Sequence, residues 1–496
     1  MPEMRTAQRL SARRLADLLG RWRGAGHGYR ELAESVSLLV RDGRIVPGMS
    51  LPAERPLSET LGVSRTTVAA AYQRLRESGV VHSRRGSGTV VRGSGSTREG
   101  LWSGAISGID LSSACPEPWS GLAALNARAA AEHAGAFKLI GYDTLGLPEL
   151  RAAIAERYSA RGLPTSPEQI MVTLGAQHAI FLIARTLLRR GDRSLIESPS
   201  YPHAREALAS TGALVAELPV SAGSAAGAGS AQEDGGYDAS GLLEIAERTT
   251  PKLAYLIPDH HNPTGLRMPD GLKSSLITAL AGAGAYVIAD ETTAELSLGE
   301  SARITPFAAH AEQRHHQDAI LTVGSLGKTV WGGLRVGWIR AAPELIGRLE
   351  AARRIGDLGT GTWEQVLALH ALNQYDDILA ERAQQLTARH RVLVAGLAER
   401  LPEWRPSSAV GGVCIWVDIG ERVSSRLSRA AAELDLHLPP GPRFGSPGTF
   451  ERYVRLPFSA PEATLAEAVR RLDQAWRSTT VGAGGTAAPV LTGAVI

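Results

Sequence analysis

Three ionisable side chains in the second half of the chain stand at or just beyond the ends of short apolar runs. Asp290 closes the run AYVIAD, Lys328 follows the run AILTVGS, and Arg335 lies seven residues further on in SLGKTVWGGLR. A lysine amine can attack a carbonyl carbon, while a fixed anion and a fixed cation can hold a ligand that carries both charges. This combination predicts a site that bonds covalently to an anionic aldehyde.

The surrounding side chains meet the requirements of pyridoxal phosphate, which needs a lysine for its imine, an anion for its ring nitrogen, a donor to its ring oxygen and a cover for its ring. Lys328 would form the imine. Asp290 would face the ring nitrogen and keep it protonated, because a nearby carboxylate favours the charged form. Asn262, in PDHHNPTG, has an amide that can donate to the ring oxygen, and Tyr201, in ESPSYPHA, could lie over the ring.

The phosphate also has a predicted cup. Gly175, Ala176 and Gln177, in VTLGAQHAI, stand where a strand should turn into a helix, so backbone N–H groups and the helix dipole favour an anion there. Ser325 supplies a hydroxyl beside the phosphate, and Arg335 supplies a positive charge. Each element alone has an ordinary alternative: a surface lysine after a strand, a loop turn at HNPTG, or an aspartate that caps a helix.

Together and in this order, these elements resemble the fold type I aminotransferases from about Gly141 to Phe458. The resemblance implies two further residues. Tyr142, in GYDTLGLPELR, corresponds to the tyrosine that crosses a dimer interface to the neighbouring subunit's phosphate. Arg455, in YVRLPFS, corresponds to the arginine that grips an amino-acid carboxylate with two hydrogen bonds, although an ordinary edge-strand arginine is the alternative.

One position departs from the family pattern. The usual Asp-x-Tyr after this strand appears as Asp290-Glu291-Thr292, so a threonine of shorter reach stands where a tyrosine normally donates to the ring oxygen. Losing that donor should raise the imine pKa and weaken activation of an incoming amine, because fewer hydrogen bonds favour the ring oxyanion. The pattern therefore favours a protein that is not a turnover enzyme. His203, beside the ring-covering tyrosine, could shape an effector pocket or be a surface histidine.

The elements that must position this site alternate helical stretches with short apolar runs from about Ala105 to Ser478, which indicates an α/β fold with a mostly parallel sheet flanked by helices. The resemblance adds a smaller C-terminal α/β subdomain. The runs Lys252 to Pro258, Ala285 to Asp290 and Ala319 to Ser325 are each followed at once by polar residues. Ligands of parallel sheets bind beyond the carboxyl ends of the strands, which is where the candidate residues stand.

A different pattern precedes this α/β domain. One helix is predicted from about Glu31 to Asp42, a second from near Arg55, and a third after Ser64, whose side chain can cap it. The segment Val80 to Val91 follows as a wing with an arginine-rich tip. In such an arrangement the first turn of the third helix reaches base edges in a major groove, where an arginine fork matches the two acceptors of guanine.

The run from LPAERPLSETLGVSRTTVAAAYQ to GSGTVV resembles the GntR-type winged helix-turn-helix over its whole length, with one departure at Pro56, where the family usually has an acidic residue. The resemblance and the projecting first turn imply DNA contacts from six residues: Arg55, Arg65, Thr66, Thr67, Arg85 and Gly86. A helical protein-interaction module with solvated arginines is the alternative. Residues before Tyr29 would form an extension that touches DNA or packs on the core.

Charge and composition agree with a DNA-binding N-terminus. Residues 1–92 hold 16 arginines against 8 acidic residues, whereas the whole chain has a net charge of only +3, so the remainder is negative. Only two cysteines are present, Cys115 and Cys414, and the sequence has no Cys/His spacing of the zinc type, which argues against a disulfide scaffold or a structural metal. No apolar segment has the length of a signal peptide or membrane span, so we expect a cytoplasmic bacterial protein, associated with the nucleoid when bound to DNA.

Composition shifts predict five segments along the chain. These are an N-terminal extension at 1–28, a winged helix-turn-helix at 29–92, a flexible linker at 93–108, a pyridoxal-phosphate-binding domain at 109–478 and a disordered tail at 479–496. Within the large domain, the low-complexity stretch Ser221 to Gly236 would be a solvated insertion.

The joint architecture resembles the MocR family of bacterial transcription regulators. It implies a homodimer that binds double-stranded operator DNA, with pyridoxal phosphate on Lys328 and an amino-compound effector, anchored by Arg455, that moves the DNA-binding units. Three alternatives stay open: an active aminotransferase of an α-amino acid, a regulator that senses pyridoxal phosphate itself, and a constitutive DNA-binding protein with a vestigial cofactor fold.

Overall fold

The chain folds into two compact units. The computed structural model describes residues 9–20, 22, 28–41, 44–45, 48–84, 88–91, 108–135, 141–220, 237–299, 304–446 and 448–481. One unit comprises Met1–Gly108, Ser446–Glu451 and Arg477–Ile496, and the other comprises Ile109–Gly445 and Arg452–Trp476. The predicted linker up to residue 107, the insertion at 221–236 and the tail from residue 482 lie outside the described residues.

The smaller unit contains the predicted helices and hairpin. Its elements are α1 (Ala12–Leu19), α2 (Gly28–Arg41), α3 (Glu54–Leu61), α4 (Arg65–Glu77), β1 (Val81–Arg84) and β2 (Gly88–Val91). Strands β1 and β2 pair in antiparallel fashion. The three predicted helices and the two strands of the wing are confirmed, and the first helix begins at Gly28 rather than Glu31.

Helix α4 begins where the sequence predicts because Ser64 caps it. The N–H of Thr67 donates to Ser64 Oγ at 3.0 Å, and Gly62 closes the preceding helix with φ 65° and ψ 33°, a left-handed conformation that glycine adopts without strain. Val68, Tyr72 and Leu75 bury one face of α4. Its first turn is therefore held by a cap at the front and by apolar packing behind.

The segment before the predicted domain packs on the same core. Leu10 and Leu15 are buried in the apolar cluster that also contains Leu57 and Tyr72. The N–H of Leu10 donates to the Ser50 carbonyl oxygen at 3.0 Å, so the extension is tied to the domain by its backbone as well. Of the two possibilities left by the sequence, packing on the core is what the structure shows for these residues.

The larger unit has the alternating order that the sequence predicts. Its first part contains β3 (Ile109–Asp110), α5 (Leu122–Glu132), α6 (Pro148–Ala160), β4 (Ile170–Thr173), α7 (Ala176–Leu187), β5 (Arg193–Ser198), α8 (Pro202–Ser210), β6 (Leu214–Pro219), α9 (Ala239–Thr249), β7 (Leu253–Leu256), α10 (Asp270–Gly282), β8 (Tyr286–Asp290), α11 (Arg314–Asp318), β9 (Ile320–Ser325) and β10 (Gly337–Arg340). Its second part contains α12 (Pro343–Arg353), α13 (Thr362–Leu372), α14 (Tyr375–Arg400), β11 (Arg405–Pro406), β12 (Cys414–Asp418), α15 (Ser424–Ala432), β13 (Leu436–His437), β14 (Tyr453–Pro457) and α16 (Glu462–Val481).

A seven-stranded sheet forms the centre of this unit, in the order β4-β10-β9-β8-β7-β5-β6. Only β10 runs antiparallel to its neighbours, so the predicted mostly parallel α/β sheet is confirmed. Strands β7, β8 and β9 are adjacent and parallel, and their carboxyl ends therefore meet at one edge. Apolar clusters cover both faces of the sheet.

The smaller C-terminal α/β part has its own sheet. Strands β11, β12 and β14 form an antiparallel sheet, and β13 pairs with β3 in parallel. The last helix continues to Val481, so the first three residues of the predicted disordered tail are helical instead. Among the described residues, no helix has the length and apolar character needed to cross a membrane.

Candidate functional site

Lys328 lies in a half-buried position beyond the carboxyl end of β9. Its Nζ donates to the Ala114 carbonyl oxygen at 2.6 Å. Burial lowers the pKa of this amine by more than the nearby Cys115 thiol raises it, and the guanidinium of Arg455 lowers it further. A lysine with a lowered pKa has a larger neutral fraction near neutral pH, and the neutral amine is the nucleophile.

Asp290, the last residue of β8, is fixed by two residues that keep its carboxylate in place. Tyr255 Oη donates to Asp290 Oδ2 at 2.6 Å, and the hydroxyl and N–H of Thr292 donate to Oδ1 at 2.7 Å and 3.0 Å. Tyr255 belongs to the neighbouring strand β7 and was not among the predicted site residues. Its place in an apolar run gave no sign of a polar role, and only the pairing of β7 with β8 reveals it.

Thr292, which replaces the family's usual tyrosine, donates to a neighbouring residue of its own chain. Its short side chain folds back onto Asp290 two residues earlier. The same turn directs Glu291 to the other side, where it accepts the Phe307 N–H at 2.7 Å and lies 3.5 Å from Arg161. Thr292 therefore orients Asp290, and its place in a cofactor site stays a prediction.

The predicted phosphate cup has the expected backbone. Gly175 precedes α7 with φ 89°, and Arg335 Nη2 donates to the Leu174 carbonyl oxygen at 2.9 Å. The positive φ favours glycine at position 175, where a Cβ atom would also lie 2.8 Å from Arg335 Nη2, the mobile end of that side chain. The first N–H groups of α7, from Ala176 and Gln177, have no partner within the helix, and they directly follow the glycine that this exposed arginine approaches.

Two further residues border the cup. Ser325 Oγ accepts the Gly327 N–H at 3.0 Å and donates to the Val336 carbonyl oxygen at 3.1 Å, so the turn between β9 and Lys328 is fixed. Gln177 donates through Nε2 to the His203 carbonyl oxygen at 3.2 Å, while its buried Oε1 has no partner among the described residues.

Tyr201 lies close enough to Asp290, Arg335 and Arg455 for their charges to affect its hydroxyl. Burial and then the Asp290 carboxylate raise the pKa of its hydroxyl to about 12, while Arg455 and Arg335 act in the opposite direction. Its ring meets that of His203 edge to face at 5.4 Å. His203 in turn pairs with Glu206 at 2.8 Å on a half-exposed surface, which accounts for it without an effector.

Arg455, in the middle of β14, is a buried cation without a carboxylate partner in the described part of the chain. The residue is 5% exposed, its Nη2 donates to the Ser112 carbonyl oxygen, and its buried Nε has no partner. The Phe444 ring lies 5.0 Å from the guanidinium carbon. Burial lowers the pKa of Arg455 by more than Cys414, Tyr201 and the Asp110 carboxylate raise it, as expected for a charge removed from water without a close ion pair.

Asn262 and Tyr142 occupy contrasting positions. Asn262 is half-buried, and the Cys414 Sγ lies 3.8 Å from its Oδ1. Tyr142 is 75% exposed, although its neighbour Asp143 forms a backbone bridge with Gly359. An exposed aromatic side chain on a fixed loop suits the predicted contact with a second subunit, which stays a prediction.

Most of the predicted DNA-contacting residues surround the first turn of α4. Arg65 lies 3.5 Å from Glu54, and the more exposed Arg55 pairs with Glu59 at 3.1 Å. The hydroxyls of Thr66 and Thr67 lie 2.7 Å from Ser64 Oγ. Arg85 and Gly86, at the tip of the wing, lie outside the described residues.

A cavity of about 730 Å³ opens beside this turn, and the extension contributes to it. Its lining includes Arg9 together with Arg55, Arg65, Glu54 and Thr89. Arg9 forms a backbone bridge with Ser50 and is exposed. The sequence did not single out Arg9, because one arginine in an arginine-rich extension carries no signal of its own.

Two family descriptions match the chain. Aminotransferase class I and II matches residues 120–472, and bacterial regulatory proteins of the gntR family match residues 28–91. The first match covers well over half of the chain and includes the candidate lysine, aspartate and arginines. The second ends at the last residue of the wing.

Individual proteins are similar to both parts or to one. The transcriptional regulator TauR of Rhodobacter capsulatus is 25% identical over 92% of this chain and 97% of its own. The probable rhizopine catabolism regulatory protein MocR of Rhizobium meliloti is 29% identical over 76% of this chain and 78% of its own. Among solved structures, the α-aminoadipate aminotransferase LysN of Thermus thermophilus is 27% identical, with a TM-score of 0.67 over 75% of this chain and 93% of its own.

Proposed function

The chain belongs to the class I and II aminotransferase family and has the MocR architecture, with a gntR-family domain ahead of the aminotransferase-like domain. From this premise we propose that the protein is a transcription regulator. Its affinity for operator DNA changes when an amino acid binds at Lys328 and Arg455. The observation that carries the proposal is the buried guanidinium of Arg455, which has no carboxylate partner among the described residues and shares an environment with Lys328.

The residues present suit pyridoxal phosphate. Arg335 and the start of α7 would hold its phosphate, Asp290 its ring nitrogen, and Lys328 its aldehyde carbon. When bound, the cofactor supplies an aldehyde that bonds reversibly to amines and a ring that accepts electrons. The lowered pKa of Lys328 favours the neutral amine that such bonding requires.

The ligand that completes the site should carry an amine and a carboxylate. A buried arginine without a counterion is costly, and a carboxylate that accepts two hydrogen bonds from it removes that cost. The amine of the same molecule would then lie toward Lys328. An amino acid is the simplest compound that satisfies both groups.

The orientation of Thr292 favours sensing over turnover. Because its hydroxyl donates to Asp290, Asn262 is left as the candidate donor to the ring oxygen. Fewer donors to that oxygen should weaken the activation of an incoming amine. We therefore propose an amino-acid response in which release of a keto acid is slow or absent.

For amino-acid binding to change operator affinity, the protein must have two conformations that differ in their affinity for the amino acid. A ligand shifts the equilibrium between two conformations only by the difference in its affinity for them. We propose that the protein acts as a homodimer, in which the exposed Tyr142 of each chain reaches the other chain's phosphate. A two-fold dimer also suits operators with two half-sites.

Operator binding, measured with and without amino acids, tests the proposed function. We expect one amino acid from a panel to change operator affinity and to shift the visible spectrum, without accumulation of a keto acid. Steady conversion of amino acid to keto acid would identify an aminotransferase instead. A change of operator affinity on adding pyridoxal phosphate alone would identify a sensor of the cofactor.

We predict that Arg65→Ala weakens operator binding by about 1–3 kcal/mol and relaxes the preference at one base pair, as expected for loss of a two-bond contact with guanine. Binding to operators substituted at each position measures both effects. Arg74→Ala, an exposed arginine of the last turn of the same helix, is the control and should change neither. An unchanged base preference in Arg65→Ala would place base recognition elsewhere.

Arg9 is expected to contact a phosphate, because it lines the same cavity as Arg55 and Arg65 but comes from the extension. We predict that Arg9→Ala weakens binding to all sequences about equally and reduces the slope of log affinity against log salt by about 1. Arg13→Ala, an exposed arginine of α1 outside the cavity lining, is the control. An unchanged salt slope in Arg9→Ala would show that the extension is structural only.

A further inference from the structure

Two histidines and a glutamate come together far from Lys328 in the sequence, where α5 packs on α13. His133 follows the last residue of α5, Glu132, and its Nδ1 lies 3.0 Å from Nε2 of His370 on α13. Glu132 Oε2 lies 3.9 Å from the same Nε2. The three ligand atoms all lie within 4.8 Å of one another.

The spacing suits a metal ion with nitrogen and oxygen ligands. Two imidazole nitrogens bound to one tetrahedral zinc ion, each at about 2.0–2.1 Å, lie about 3.3 Å apart. The observed 3.0 Å between the His133 and His370 nitrogens needs a shift of only a few tenths of an ångström. The surface position of Glu132 leaves room for the carboxylate to approach and for water to complete the coordination.

One of the three residues is buried and the other two are more exposed, so the site is partly preformed. His370 is 6% exposed and its ring meets that of His133 edge to face at 4.9 Å, so one ligand is fixed by the core. Two imidazoles, one carboxylate and an open position form the ligand set of zinc sites that keep a bound water. One charged group opposes a cation here: Arg128 is exposed and lies one turn before Glu132 on the same helix.

We propose that Glu132, His133 and His370 bind a divalent transition-metal ion of the zinc class that fastens the end of α5 to α13. Imidazole and carboxylate ligands without a thiolate suit zinc, nickel and copper better than calcium or magnesium. The proposal does not depend on the proposed regulatory function. It also revises the expectation of no metal, which rested on the absence of zinc-type Cys/His spacing and could not detect histidines 237 residues apart.

Calorimetric titration of Zn²⁺ into the full-length holoprotein, freed of any affinity tag, tests the proposal. We expect one zinc ion per chain and a rise in melting temperature, since an ion that binds only the folded protein stabilises it. His133→Ala should weaken binding at least tenfold, because even indirect changes around a metal cost about 10–100-fold. Arg128→Gln should bind zinc more tightly than the unaltered chain, since a nearby positive charge is removed.

The remaining variants distinguish this site from zinc bound elsewhere on the chain. A chain with Cys115→Ser and Cys414→Ser should keep its zinc. If the two thiols bound the zinc instead, this double variant would lose it and His133→Ala would keep it. Glu132→Gln should weaken binding without changing the fold, because Glu132 is exposed. The absence of saturable zinc binding by the unaltered chain, or binding that survives His133→Ala, would show that the two histidines share only a hydrogen bond.

Discussion

Lys328→Ala is expected to abolish the visible absorbance of the protein purified with pyridoxal phosphate, while operator binding stays measurable. Lys328 is half-buried and burial lowers its pKa, so it is the described amine best suited to bond with an aldehyde. Removing Nζ leaves the Ala114 carbonyl oxygen without the donor it has at 2.6 Å, but among the described residues no ion pair within 4 Å is broken. The spectrum of the purified variant, with and without added cofactor, measures the effect.

A matched variant makes this result specific. Lys252→Ala removes an exposed lysine from the same unit and should leave the absorbance unchanged. If Lys328→Ala kept its absorbance, another lysine would carry the cofactor and the geometry around Asp290 would have to be reinterpreted. Loss of both absorbance and operator binding would indicate that the variant fails to fold, which circular dichroism distinguishes.

The second large effect is expected from Arg455→Met, which should weaken the response to the amino-acid effector by about 2–5 kcal/mol, or at least about thirtyfold. The methionine fills the buried space near Phe444 but cannot bind a carboxylate. The effector concentration that produces half of the spectral shift measures this change. Arg452→Met, which removes a half-exposed arginine paired with Asp418 near the start of the same strand, is the control.

The stability of the same variant gives an independent outcome. A buried arginine without a carboxylate partner should cost more than an apolar side chain of similar length, so Arg455→Met should melt at the same temperature as the unaltered apoprotein or higher. Thermal unfolding without effector measures it. A clear loss of stability would mean that the bond to the Ser112 carbonyl oxygen holds the fold and that Arg455 is not reserved for a ligand.

The parts of the fold and site that were predictable are those encoded by neighbouring residues. The cap at Ser64, the glycine at 175 and the polar residues after β8 and β9 are local patterns, and the structure places them as expected. Strand order and the antiparallel β10 depend on pairings across the sheet, which periodicity does not report.

The residues that sequence reasoning missed or misplaced depend on distant partners or on rotamers. Tyr255 meets Asp290 across 35 residues, and its position in an apolar run predicts only burial. The hydrogen bond from Thr292 to Asp290 depends on the rotamer of the threonine, which the residue type alone does not fix. The position of Arg9 matters only because of the cavity beside α4, which forms when the extension packs on the domain.

Because the extension packs on the core, the DNA-binding unit begins earlier in the chain than its similarity to the gntR family does. Similarity to the gntR family begins at residue 28, yet Leu10 and Leu15 are part of the apolar core behind α4. A fragment cut at that point would present to water the surfaces that these leucines cover. The region that matches the family is therefore shorter than the region that packs around one core, and an expression fragment of the DNA-binding unit should begin before Arg9.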